Sequence, residues 1–113
     1  MAQYLFQLSY TPEAWTALVK NPQDRGKAVQ GVLAKLGGTM QQAWLSFGEY
    51  DVVGVMEMPD NVGAAAFSMA VTAGGACRSV KTTPLLSFEE GIEAMKRAGD
   101  CGYVPVQRTA SGS

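Results

Sequence analysis

Tyr50 and Asp51 are the pair in this sequence best suited to proton chemistry, a phenol and a carboxylate side by side in Ser46-Phe47-Gly48-Glu49-Tyr50-Asp51-Val52-Val53. With a pKa shifted by burial, Asp51 could act as a base or Tyr50 as a donor, which makes them the candidate catalytic residues. The run lies between two apolar stretches, so Gly48 and Glu49 predict a tight reversal, after which Tyr50-Asp51 opens a strand that continues to Met58. Neighbours on a strand point to opposite faces, and the two side chains cannot enter one pocket without a bulge. Two roles stand open. One side chain packs while the other bonds backbone around the turn, or one of them serves a ligand.

Other residues invite binding more than catalysis. Tyr4, Phe6, Tyr10 and Trp44 could line an aromatic cavity or could simply form core. Arg78 and Lys81 could offer charge to an anionic ligand, or could be the ordinary solvated face of an edge strand. Gly74-Gly75 follows a helix, so it terminates that helix and does not cradle phosphate. The chain has 2 cysteines, Cys77 and Cys101, and no histidine. Free thiols are expected, while histidine triads, histidine metal ligation and histidine haem ligation are excluded. No cysteine and carboxylate spacing suggests a metal site, and no cofactor is expected.

Composition narrows the partners. The 113 residues suit one domain, and 47% of them are apolar while only 17% are charged. That charge share lies below the roughly 25% usual for globular proteins, which points to surface covered by another subunit. A net charge of −1 gives no grip on nucleic acid or anionic lipid. No apolar run reaches the about 18 residues of a membrane helix, and Met1-Ala2-Gln3-Tyr4-Leu5 does not resemble a signal peptide. The expected location is the cytoplasm.

The elements that must position these residues follow from periodicity. Gln3 to Tyr10 alternates as a strand with Tyr4, Phe6, Leu8 and Tyr10 on one face. Thr11-Pro12-Glu13 starts a helix that carries Trp15, Leu18 and Val19 inward. Asn21-Pro22 breaks it and restarts a helix capped by Asn21, with Asp24 in its first turn and Arg25 and Lys27 on the solvated face. Val29, Val32, Leu33 and Leu36 form its apolar stripe, and Gly37-Gly38 ends it. Strands from Thr39 to Phe47 and from Tyr50 to Met58 make the hairpin, the second apolar on both faces. A helix from about Asn61 to Thr72 is apolar nearly all round, and its outer face is expected to meet a partner. Ala76 to Phe88 is the last strand. Ser87-Phe88-Glu89-Glu90 has capping-box spacing and opens a short helix with Ile92 and Met95.

The order strand, helix, strand, strand, helix, strand fits an α+β fold, the ferredoxin-like split βαββαβ, with an extra C-terminal helix. The domain is read as residues 3–99 and the tail as 100–113. In the tail, Tyr103-Val104-Pro105-Val106 is expected to dock on the domain or its partner, with Ala110 to Ser113 mobile. Helices on one face leave the other sheet face bare, and the apolar middle strand predicts that a second sheet covers it. A dimeric α+β barrel results, in a homodimer or a larger symmetric oligomer.

Gly48-Glu49-Tyr50-Asp51 resembles the signature of the GYD-domain family, with Glu49 inserted. The blocks Thr11-Pro12-Glu13, Asn21-Pro22-Gln23-Asp24-Arg25, Glu57-Met58-Pro59-Asp60 and Lys81-Thr82-Thr83-Pro84-Leu85-Leu86 are also similar to that family, over about residues 3 to 106. The resemblance implies the dimeric α+β-barrel superfamily and carries over no functional residue. The function expected is a homo-oligomer that binds a small apolar or aromatic ligand through Tyr4, Phe6, Trp44, Arg78 or Lys81. Members of the superfamily imply a cofactor-free isomerase or oxygenase variant. The competing expectation is a non-catalytic accessory or sensing subunit that contacts a protein partner through Asn61 to Thr72.

Overall fold

The computed structural model describes residues 1–107. Strand β1 (Ala2–Tyr10) is followed by helices α1 (Pro12–Lys20) and α2 (Arg25–Lys35). The hairpin strands β2 (Thr39–Leu45) and β3 (Val52–Met58), helix α3 (Asn61–Ala73), strand β4 (Cys77–Leu85) and helix α4 (Phe88–Asp100) complete the order. The four strands form one antiparallel sheet in the order β2-β3-β1-β4. This is the ferredoxin-like split βαββαβ fold with an added C-terminal helix.

Alternation decides which side is the core. Tyr4, Phe6 and Leu8 of β1 and Met56 and Met58 of β3 are buried against Leu33 of α2 and Ala64 and Phe67 of α3. Phe6 and Phe67 meet edge to face, with ring centroids 5.6 Å apart. Gly54 makes that possible: a Cβ there would clash with the Phe6 ring and come within 2.8 Å of the Gln42 carbonyl. Tyr4 satisfies its buried hydroxyl by donating to Asn61 Oδ1 at 2.6 Å.

Several local expectations change. The cap of α2 is Asp24, which accepts from the Gly26 N–H at 2.9 Å, whereas Asn21 closes α1 by donating its N–H to Ala17 O at 2.9 Å. Residues 21–24 therefore form a connection and not the first turn of α2. Val19, read as facing inward, is 74% exposed; α1 packs on the end of β1, and Ala14, Trp15 and Leu18 are half-buried. The hairpin strands stop short, at Leu45 and Val52, so Tyr50 and Asp51 lie in a loop and not in the strand. Ser46 closes that loop by donating its N–H to Asp51 O and its hydroxyl to Tyr50 O, both at 2.7 Å. Gly48 within it has φ 129°, a conformation open to glycine.

The side chains of Leu5, Val53, Val55, Trp44 and Leu85 fall by register on the sheet face away from α2 and α3. Trp44 is 54% exposed there. Ser87 and Glu90 make the expected capping box, the Ser87 hydroxyl accepting from the Glu90 N–H and the Glu90 carboxylate from the Ser87 N–H. No residue of α4 is buried. Tyr103, Val104 and Val106 are exposed as well, so the expected docking of this segment on its own domain does not occur. The expectation for Ala110 to Ser113 lies outside the described residues.

Candidate functional site

The gap between α1 and α2 opens a cleft above the sheet. Asn21-Pro22 ends one helix before Asp24 can begin the next, so the helix layer is interrupted over β1, β2 and β3. The cleft has a volume of about 350 Å³, within the usual range for small-molecule pockets. Phe6, Ala43 and Val52 line it from the sheet, Trp15 and Leu18 from α1, and Val29 from α2. Its charged lining residues are Asp24 and Arg25, and Asp24 is occupied as the cap of α2.

One wall is fixed from below by Asp51. Its buried carboxylate accepts from the Tyr10 N–H at 2.8 Å and from the Trp15 indole N–H at 3.2 Å, both on Oδ2. The Asp51 N–H donates to Leu8 O at 2.7 Å, and the Ser9 hydroxyl to Glu49 O at 2.6 Å, which pins the hairpin loop to the end of β1. Trp15 in turn stands edge to face with Tyr10, centroids 5.4 Å apart and planes at 85°. Asp51 thus holds an aromatic wall in place, with Oδ2 of its carboxylate taken by those two donors.

Tyr10 and Arg25 form the inner junction. Both also line a second cleft of about 240 Å³ between α2 and α3, where Cys77 of β4 contributes. Burial, and then the neighbouring Cys77, push the Tyr10 phenol above its ordinary pKa, with the Arg25 guanidinium opposing. Burial likewise raises the Cys77 thiol, again against Arg25. Phenol and thiol therefore stay neutral near pH 7, and the junction offers a neutral hydroxyl beside one cation. A third hollow of about 410 Å³ runs outside α2 between Lys27, Gln30, Gln41 and Gln42. It is a polar furrow.

The candidate residues read from sequence are spread across the molecule. Phe6 lines the cleft, and Trp44 borders it from the edge strand. Tyr4 is core, bonded to Asn61. Lys81 pairs with Gln7 on the open sheet face, and Arg78 is exposed at the register shift of β4. Tyr50 is half-buried in the hairpin loop, apart from the cleft. Trp15 and Arg25 are cleft residues that the sequence reading assigns to core and solvent. Their signal was the Asn21-Pro22 break itself, since a helix layer interrupted over an apolar sheet must leave a hollow. Among the described residues, no three of His, Cys, Asp or Glu stand together as metal ligands. None of the described helices is long and apolar enough to cross a membrane.

The chain matches the family model described as GYD domain over residues 4–95. Among curated proteins none matches. Two solved structures are similar. A crystal structure of FFRP-DM1 shares 13% identity over 76% of this chain and 100% of that one, with TM-score 0.48. The hypothetical protein PHS023 from Pyrococcus horikoshii shares 12% identity over 77% of this chain and 92% of its own, with TM-score 0.50. At such identity the likeness to PHS023 is one of fold.

Proposed function

This chain belongs to the GYD-domain family, and we propose that it binds a small aromatic or apolar molecule in the cleft between α1, α2 and the sheet. The observation that carries the proposal is the cleft itself, about 350 Å³ walled by Phe6, Trp15, Leu18, Val29 and Val52, with Tyr10 and Arg25 among its few polar residues. Tyr10 and Arg25 would receive the polar end of such a molecule, the phenol by hydrogen bonding and the guanidinium by charge. Binding is favoured over acid–base catalysis because the nearest buried carboxylate, Asp51, already accepts from Tyr10 and Trp15.

The working unit in this proposal is a homo-oligomer. Trp44, Val53, Val55, Leu5 and Leu85 leave an apolar strip on a sheet face that none of the described helices covers, and such strips are uncommon on free monomers. A second reading, contact with a protein partner through α3, rests on Val62 and Met69, 77% and 69% exposed.

Native mass spectrometry of the full chain purified from cell extract tests the cleft. An adduct with the mass of a small molecule is expected on the wild type and should vanish in Ala43→Trp, whose indole fills the space beside Phe6. A bare chain in every charge state, or an adduct that survives Ala43→Trp, speaks against the cleft.

A further inference from the structure

The clefts on the two sides of α2 meet at one polar point. Tyr10 and Arg25 line both, the first cleft lying toward α1 and the second toward α3. Among the described residues, Arg25 is the one cation on either lining and Asp24 the one carboxylate. Asp24 is spent on the cap of α2, where its Oδ1 accepts from the Gly26 N–H at 2.9 Å. Asp51 lines neither cleft and stands behind Tyr10 and Trp15, whose N–H groups occupy its Oδ2.

Donors outnumber acceptors at this point. Among the described residues the ion pair is Arg97 with Glu93, so the Arg25 guanidinium has no carboxylate of its own. Its bond to Gln23 Oε1 is long, at 3.4 Å, and leaves most of its N–H groups to water. Tyr10 is 8% exposed; its N–H is spent on Asp51, and no carbonyl or carboxylate of the described residues takes its hydroxyl proton. Arg25, the hydroxyl's charged neighbour, only donates, and the nearby Cys77 thiol is a weak acceptor. Burial keeps the phenol protonated near pH 7. Two donors, one of them a cation, therefore converge at the end of an apolar cleft with no anion committed to either.

We propose, on the reading of the first cleft as a ligand site, that the ligand is a small aromatic carboxylate. Its ring lies in that cleft, where Phe6, Tyr10 and Trp15 supply aromatic walls, and its carboxylate meets the Arg25 guanidinium and the Tyr10 hydroxyl. The planar carboxylate matches the guanidinium fork and still has lone pairs to accept from the phenol. A phosphate monoester would bring about two negative charges to a single cation. Charge-assisted hydrogen bonds are roughly twice as strong as neutral ones. Arg25 is exposed, and water screens part of that gain, so the charge should raise affinity about tenfold.

Isothermal titration of the full chain with p-toluate, p-toluamide and p-cresol tests this, with the Trp15 indole N–H resonance reporting where each binds. The amide matches the acid in shape and lacks its charge. At pH 7 and low salt the acid should bind about tenfold tighter than the amide, and salt at about 0.5 M should narrow the gap. Arg25→Gln should bring the two affinities together, and Arg25→Lys should keep part of the difference. Both variants should melt with the wild type, because Arg25 is exposed. An acid no tighter than the amide overturns the proposal, as does a preference that survives Arg25→Gln. In either case p-cresol or p-toluamide bound at the Trp15 indole leaves the cleft itself standing. If none of the three compounds moves the indole, the cleft fails and the carboxylate with it.

Discussion

Replacing Asp51 by alanine should be among the most damaging single changes outside the apolar core. The Asp51 carboxylate is buried and accepts from the Tyr10 N–H at 2.8 Å and the Trp15 indole at 3.2 Å. Hydrogen bonds to a charged group contribute roughly 1.5–3 kcal/mol each, and the longer indole bond belongs at the low end. Asp51→Ala also strands the Tyr10 N–H, so the loss expected is about 3–4 kcal/mol, a large part of the roughly 5–15 kcal/mol that holds a small domain together. Asp51→Asn keeps one acceptor oxygen without its charge, and should lose only about 1–2 kcal/mol. Urea unfolding at one fixed protomer concentration measures both. With a slope of about 1–2 kcal/mol per molar, the alanine midpoint should fall by roughly 2 M while the slope holds. Trp15→Phe supplies the second arm of a double-mutant cycle: its cost should shrink once Asp51 is alanine. An Asp51→Ala change below about 0.5 kcal/mol, typical of a featureless surface site, would refute the pinning role.

Two further outcomes follow from the packing and the buried titrating groups. Gly54→Ala should destabilise by about 1–3 kcal/mol or more, because the added methyl meets the Phe6 ring on one side and the rigid Gln42 carbonyl on the other; a neutral result in the same urea assay would show that β3 can shift to admit it. Stability should also fall as pH rises beyond about 9. The pKa values of Tyr10 and Cys77 are both raised by burial, so between the ordinary and raised values the folded state binds more protons than the unfolded one. Their contribution is complete below the ordinary values and lost through the raised ones. Tyr10→Phe should flatten part of that alkaline slope in melting curves, and an unchanged slope would remove Tyr10 from the explanation.

The elements that local chemistry dictates were legible in the sequence. The alternation of Tyr4, Phe6 and Leu8, the Ser87 and Glu90 capping box and the Gly37-Gly38 stop all appear as read. What escaped depends on contacts between distant segments. Asp51 looked like the first residue of a strand, and only the approach of Tyr10 and Trp15, 41 and 36 residues away, makes it a loop anchor. Arg25 looked solvated because it is charged, although it stands four residues before Val29 on the stripe's own face. As the first residue of α2 it lines the mouth of a cleft that exists only because Asn21-Pro22 interrupts the layer. The hairpin was found, but its turn was drawn too tight, since no local rule anticipates the Ser46 side chain closing on Tyr50 O.

Nuclear magnetic resonance titration of the folded chain with p-cresol tests the ligand cleft most directly, because the two faces of the sheet carry separate reporters. The Trp15 indole N–H, bonded to Asp51, stands in the cleft wall, while Val53 and Val55 lie by register on the other sheet face and do not line the cleft. The account predicts a saturable shift of the Trp15 indole signal and of the Leu18, Val29 and Val52 methyls, still Val53 and Val55 methyls, and no response in Ala43→Trp at the same positions. Shifts that do not saturate, that follow Val53 and Val55, or that persist unchanged in Ala43→Trp would contradict a binding cleft between α1, α2 and the sheet.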